Sequence, residues 1–149
     1  MREGAGAPVG EVDPSAAWQL LEEESNTHLI DVRTRAEWAF VGVPDLGRMN
    51  GQPLFVEWAA YPDMSVNPRF AAVVEEALGD SPKGALLFLC RSGQRSLRAA
   101  MAVQEHFAAK GQDVTCLNVA EGFEGDLDAA GHRGGHNGWK ARGLAWRQS

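Results

Sequence analysis

The sequence predicts an α/β fold, a small parallel sheet flanked by helices on both faces. Three observations carry that expectation. Short apolar runs alternate with helix-period segments along the chain, the pattern that builds βαβ units. One unit is explicit: Leu86-Leu87-Phe88-Leu89, then Cys90-Arg91-Ser92-Gly93-Gln94-Arg95-Ser96, then Leu97 to Val103 read as strand, polar loop and helix. The 149 residues, 44% hydrophobic and 23% charged, suit a single globular domain with one core and one site.

Residues 1–10 are expected to be a flexible lead-in. Asp13-Pro14 opens the first helix, with Asp13 as N-cap, proline at the first helical position, and Ala17, Leu20 and Leu21 facing inward. The Glu22-Glu23-Glu24 run reads as its solvated end. His28 to Arg33 is a short strand, and Thr34 caps a short helix through Glu37 and Phe40. Val41 to Gln52 shows no period and is read as loop. Leu54 to Trp58 is the next strand, and Pro62 to Val66 a connection. Asn67-Pro68 repeats the cap-plus-proline start and launches a helix with Phe70, Val73, Val74, Ala77 and Leu78 on its inner face, stopped by Gly79. The 86–89 strand leads into a helix over 96–109 with Leu97, Met101 and Phe107 as core candidates, and Val114 to Val119 is the last strand. A long Gly/Asp-rich connection over 122–138 follows, of a length that marks functional loops, before Trp139 to Trp146 docks back on the core.

A formal charge of −6 argues against nucleic-acid binding, which needs a basic face. No stretch approaches the roughly 18 apolar residues of a membrane span, and the start lacks the apolar run of a signal peptide. Two cysteines make no disulfide framework, so a reducing, cytoplasmic setting is expected.

Ligands of such sheets bind beyond the carboxyl ends of the strands. The segments after Ile30, Val56, Leu89 and Val119 should therefore open on one edge, gathering Asp31, Arg33, Trp58, the Cys90 loop and Gly122-Phe123. A turn from strand into helix aims backbone N–H groups inward over the positive end of a helix dipole, which makes a nest for an anion and favours a thiolate. Arg91 and Arg95 add to that field. Cys90 is thus expected to be a reactive, accessible thiol, whereas Cys116 reads as a small core residue. Phe123 is expected to wall the pocket, and Arg98 to lie on a solvated face. His132 and His136 are separated by glycines with no third ligand near, so neither a metal nor another cofactor is expected.

The Cys90 to Ser96 loop resembles the active-site loop of the rhodanese family of sulfurtransferases. Leu29-Ile30-Asp31-Val32-Arg33 followed by Glu37-Trp38 is similar to the family's early strand motif. Gly138-Trp139 with Gly143-Leu144-Ala145-Trp146 is similar to its usual end, where proline is commoner than Ala145. Val41 to Leu46 departs from the family's Gly-His-Ile-Pro-Gly-Ala segment by lacking the histidine.

The resemblance implies a rhodanese-like fold and transfer of sulfane sulfur from a donor such as thiosulfate to a thiol or cyanide through a Cys90 persulfide. On this reading the backbone from Arg91 through Ser92, Gly93, Gln94 and Arg95 to Ser96 holds the anion, Asp31 pairs with Arg95, and Arg33 with Glu37. The rivals are a phosphatase or arsenate-reductase-like cysteine enzyme, and a persulfide carrier or redox-responsive module. Phosphatase loops carry their arginine six positions after the cysteine, and here that position is Ser96. A protein sulfur acceptor would dock on the 122–138 loop.

Overall fold

A computed structural model of the chain describes residues 9–80 and 84–149. Residues 1–8 of the expected lead-in lie outside these. In chain order the elements are β1 (Gly10–Val12), α1 (Pro14–Glu23), β2 (His28–Asp31), α2 (Arg35–Phe40), β3 (Val43–Pro44), β4 (Leu54–Phe55), β5 (Ala59–Ala60), β6 (Ser65–Val66), α3 (Phe70–Leu78), β7 (Ala85–Leu89), α4 (Gln94–Ala108), β8 (Thr115–Val119) and β9 (Trp146–Arg147).

The central sheet runs β1-β8-β7-β2-β4, all parallel. Alternation along each strand splits its apolar residues between two cores. Ile30, Leu86, Phe88 and Cys90 face α3 and α4, which supply Phe70, Val74, Ala99, Ala100, Val103 and Phe107. Leu29, Leu87, Leu89 and Val119 face α1 and the C-terminal segment, meeting Ala17, Leu21, Phe123 and Trp139. Five parallel strands place five carboxyl ends along one edge.

Local signals hold where expected. Asp13 accepts a hydrogen bond from Ala16 N (2.8 Å) and caps α1. Thr34 and Glu37 form a reciprocal capping box on α2. Gly79 ends α3 with φ +59°.

Several elements differ from expectation, each for a tertiary reason. Gly10 belongs to strand β1, not to a flexible lead-in, because β8 offers a free edge to pair with. The 41–52 loop contains β3, which pairs antiparallel with β9, and a 3-10 turn over Gly47–Met49. The 62–66 connection ends in β6, half of a hairpin with β5. The Leu54 to Trp58 strand is regular only over Leu54–Phe55, although Val56 N and Trp58 N still donate to Asp31 and Val32. Helix α3 starts at Phe70, since Asn67 spends its side chain on the Arg69 N–H in a preceding turn. Ala77 is exposed. On α4, Leu97 and Met101 are 39% and 52% exposed, and the buried stripe is instead Ser96, Ala99, Ala100, Val103, Gln104 and Phe107. Alanines there let the helix lie close on the sheet, turning the bulkier residues outward.

The 122–138 connection is tied down throughout. Phe123 N donates to Cys90 O (2.8 Å), and Glu124 N and Gly125 N donate to Arg91 O. Gly134 N bonds Glu124 O, Arg133 bonds Gly125 O, and Asn137 bonds Asp126. Gly122 makes the approach possible: it has φ +68°, and a Cβ there would come within 2.5–2.6 Å of the Arg91 and Cys90 carbonyl groups. Gly122→Ala should therefore destabilise the fold by more than about 1 kcal/mol, read as a shifted denaturant midpoint. Gly111→Ala, strained in φ but in open space, should cost less.

Candidate functional site

Cys90 follows β7 directly, and its thiol is enclosed. Gly93 N donates to Cys90 Sγ at 3.1 Å, and Ser96 Oγ lies 3.2 Å from the same sulfur. Gly93 turns its N–H back onto the sulfur by adopting φ +111°, a conformation that favours glycine. The first-turn N–H groups of Gln94, Arg95 and Ser96 have no carbonyl one turn earlier to bond, and so form the dipole-positive end of a 15-residue helix. Cys90 is only 1% exposed, which corrects the expectation of an accessible thiol. The alternation of β7 turns its side chain, with Leu86 and Phe88, toward α4.

Two ion pairs organise the surroundings, and the partners are exchanged relative to expectation. Asp31 pairs with Arg33: Arg33 Nε donates to Oδ1 at 2.9 Å and Nη2 to Oδ2 at 2.7 Å, with both side chains fully buried. Residues two apart in an extended chain share a face, so these two are neighbours by geometry. Arg95 pairs instead with Glu37, Nη1 to Oε1 at 2.8 Å and Nη2 to Oε2 at 2.9 Å. The capping box decides this, because it turns Glu37 back toward the start of α2 and over the cleft. Burial alone would raise the Glu37 carboxyl, but the hydrogen bonds and charge of Arg95, with those of Thr34, hold it below the usual carboxylate value. Burial likewise opposes the Arg95 charge, and Glu37, helped by Cys90 and Asp31, raises it overall.

Phe123 is fully buried beneath the Arg33 guanidinium, 4.3 Å from Cζ to ring centroid. Trp58 stacks edge-on against Phe70 at 5.1 Å in the α3–α4 core. Neither lines the cleft: Phe123 lies in one core and Trp58 packs against the other. Arg98 is exposed and Cys116 is buried, with burial pushing its thiol up to about 12. Among the described residues no cluster of three or more His, Cys, Asp and Glu could hold a metal.

A cleft of about 650 Å³ opens beside the loop. Arg91, Arg95 and Glu124 give it charge, and Phe40, Tyr61 and Met64 give it an apolar wall. Ser92 and Gly93 are half-buried and Gln94 is exposed. Arg91 makes no ion pair among the described residues, whereas Arg95 is committed to Glu37.

Sequence reasoning missed Asn118. It is 1% exposed on β8, accepts at Oδ1 within 2.6 Å of Ser96 Oγ, and donates from Nδ2 to Gly93 O (3.1 Å) and Glu11 Oε2 (3.2 Å). The available signal was an amide inside the otherwise apolar run Cys116-Leu117-Asn118-Val119.

The rhodanese-like domain model matches residues 13–129. The chain belongs to the rhodanese-like family. A relative in Rickettsia rickettsii, described as an uncharacterized RP600 homolog, is 32% identical over 139 residues, covering 93% of this chain and 98% of the relative. The crystal structure of Rv0390 from M. tuberculosis is 41% identical with a TM-score of 0.80, the match covering 96% of this chain and all of that one. The polysulfide-sulfur transferase of Wolinella succinogenes shares the fold, with a TM-score of 0.57 and 18% identity over 96% of this chain and 81% of its own. Membership of the rhodanese-like family points to sulfurtransferase or related cysteine-based chemistry on sulfur-containing substrates. No helix among the described residues is long and apolar enough to cross a membrane.

The two ion pairs should separate by experiment. Asp31→Ala leaves the Arg33 charge buried and unpaired, and should lower unfolding free energy by about 3–5 kcal/mol in denaturant titrations. Glu37 has a depressed folded-state value, so its pair stabilises the protein above the unfolded value near 4.5 and is lost as pH falls through the lower folded one. Glu37→Gln should therefore be less stable than the parent at neutral pH, with the gap closing in acid; a gap that stays constant with pH would count against the pairing.

Proposed function

We propose that this chain is a sulfurtransferase that moves sulfane sulfur from a small sulfur anion such as thiosulfate to a thiol or cyanide, through a persulfide on Cys90. The observation that carries this reading is the enclosure of Cys90 Sγ by the Gly93 N–H and Ser96 Oγ at the start of α4. An enclosed sulfur beside inward-facing N–H groups is suited to carrying an anionic sulfur chain.

In the first step the Cys90 thiolate attacks the outer sulfur of thiosulfate. The donor's S–S bond breaks, sulfite leaves with the bonding pair, and Cys90 is left as a persulfide anion. In the second, an acceptor thiolate attacks the outer sulfur of that persulfide, and the Cys90 thiolate leaves. With cyanide as acceptor the product is thiocyanate. Only the ionised form of the thiol attacks, its proton having left before this step. Arg91, which has no carboxylate partner among the described residues, meets the sulfonate end of the donor, while Arg95, locked to Glu37, contributes a fixed field. The 122–138 loop contributes Glu124 to the cleft, which is where a protein acceptor would meet it.

The loop also supports sulfur over phosphate. Its second arginine is five residues after Cys90, and the sixth position is Ser96, drawn inward onto the sulfur.

Intact-mass measurement after thiosulfate treatment should show one added sulfur on the parent and none on Cys90→Ser. Arg91→Ala should raise the KM for thiosulfate about tenfold or more, with a smaller change in kcat. Turnover of an aryl phosphate without sulfur gain on Cys90 would overturn the assignment.

A further inference from the structure

Both groups that touch Cys90 Sγ are held by one side chain. Gly93, whose N–H reaches the sulfur, gives its carbonyl to Asn118 Nδ2 at 3.1 Å, and Ser96, whose hydroxyl reaches the sulfur, lies 2.6 Å from Asn118 Oδ1. The amide has one orientation. Its Nδ2 faces a backbone carbonyl and the Glu11 carboxylate, neither of which can donate, so Oδ1 must face Ser96.

A hydroxyl has a single proton. At 2.6 Å the Ser96 proton lies on the Asn118 bond, and Ser96 Oγ then presents lone pairs to Cys90. That arrangement accepts an S–H from a neutral thiol. It cannot donate to a thiolate unless Ser96 withdraws its proton from Asn118, leaving a buried carbonyl oxygen without a donor.

We propose that Asn118 is a positioning residue that holds the Ser96 proton away from Cys90 whenever Sγ carries no charge. It thereby favours the thiol and the persulfide over the thiolate. In the persulfide the negative charge sits on the outer sulfur, so Sγ no longer needs the hydroxyl and the proton returns to Asn118. Sulfur loading thus restores a hydrogen bond that ionisation breaks, which biases the resting enzyme toward the sulfur-charged form. This deepens the sulfurtransferase reading and rests on it for the persulfide step only.

The test is a double-variant cycle read by ultraviolet thiolate absorbance of Cys90 at neutral pH, each variant measured against the same variant carrying Cys90→Ser. Asn118→Leu, close to asparagine in size, should raise the ratio of thiolate to thiol about fivefold, since Ser96 is freed to donate to sulfur. Ser96→Ala, which takes away the acceptor of the neutral thiol's S–H, should raise it by less than Asn118→Leu does. The double variant should show no rise above Ser96→Ala, because the rise passes through that hydroxyl, and losing the Asn118 bond to Gly93 O can only loosen the Gly93 N–H donor. Arg95, whose charge reaches Cys90, and its partner Glu37 are the same in every variant, so their field cancels. General damage to the loop would not vanish in the Ser96→Ala background. A rise that persists there, or a folded Asn118→Leu protein with unchanged or reduced thiolate, overturns the proposal. If Asn118→Leu fails a cooperative melt, Asn118→Ala is judged by the same cycle. Thiosulfate-loaded Asn118→Leu should also hold less persulfide at a given ratio of sulfite to thiosulfate. The absorbance cycle needs no donor, so its outcome stands even if the parent protein accepts no sulfur, a result that would count only against the transfer reading.

Discussion

The site depends on the fixing of two carbonyl groups. Cys90 O and Arg91 O are taken up by the N–H groups of Phe123, Glu124 and Gly125. A trans peptide is planar with its C=O and N–H opposed, so pinning those carbonyls outward sends the Arg91 and Ser92 N–H groups the other way. The chain leaving β8 therefore shapes the chain leaving β7. It can do so only because Gly122 has no Cβ to keep the two backbones apart, and because Glu121, itself at φ +70°, is held by its bonds to Gly138 N and Arg142. The long connection that follows acts first as a brace for the cysteine loop.

Around that braced loop, charge is divided by depth. The Asp31–Arg33 pair is wholly buried and has a further bond to Gly42 O and a ring face beneath it, so it fixes the exit of β2 and the turn into β3. The Glu37–Arg95 pair lies at the cleft and ties α2 to the first turn of α4. A chain with a net charge of −6 thus presents a local cation, Arg91, where an anionic substrate would enter.

What was legible in the sequence is what depends on near neighbours. The Asp13 and Thr34 caps, the Gly79 stop and the strand–loop–helix at Cys90 are set within a few residues, and they stand in the structure where the sequence puts them. The parallel sheet followed from element alternation alone. Pairings between distant segments were not legible: β1 on β8 and β3 on β9 rest on three-residue and two-residue strands with no period to read. The exchange of ion-pair partners had the same origin. Strand-end proximity suggested Asp31 for Arg95, but side-chain direction within β2 and the capping geometry of α2 decided otherwise. On α4, size misled: Leu97 and Met101 looked like core, yet a helix packed tightly on a sheet prefers Ala99 and Ala100 beneath it. Asn118 was missed: a polar residue in an apolar strand is a signal in itself, but its meaning required the fold to set it beside Ser96.

On the proposed sulfur transfer, the cleft bears on which half-reaction would distinguish between substrates. At about 650 Å³ it falls in the range of sites for drug-sized ligands, about 300–1,000 Å³, and a small inorganic anion would leave most of it empty. Arg91, Arg95, Glu37 and Glu124 give it charge, whereas Phe40 and Tyr61, 83% and 69% exposed, and Met64 line it with apolar surface. A donor such as thiosulfate needs only the charged groups. The apolar surface gains contact only from a partner with a carbon body, and in a two-step transfer that partner is the thiol acceptor. On the transfer proposed above, selectivity would reside in the second step: donor capture would be governed by Arg91, and acceptor choice by how well the acceptor's body covers Phe40, Tyr61 and Met64 while its thiolate reaches the sulfur held over Gly93.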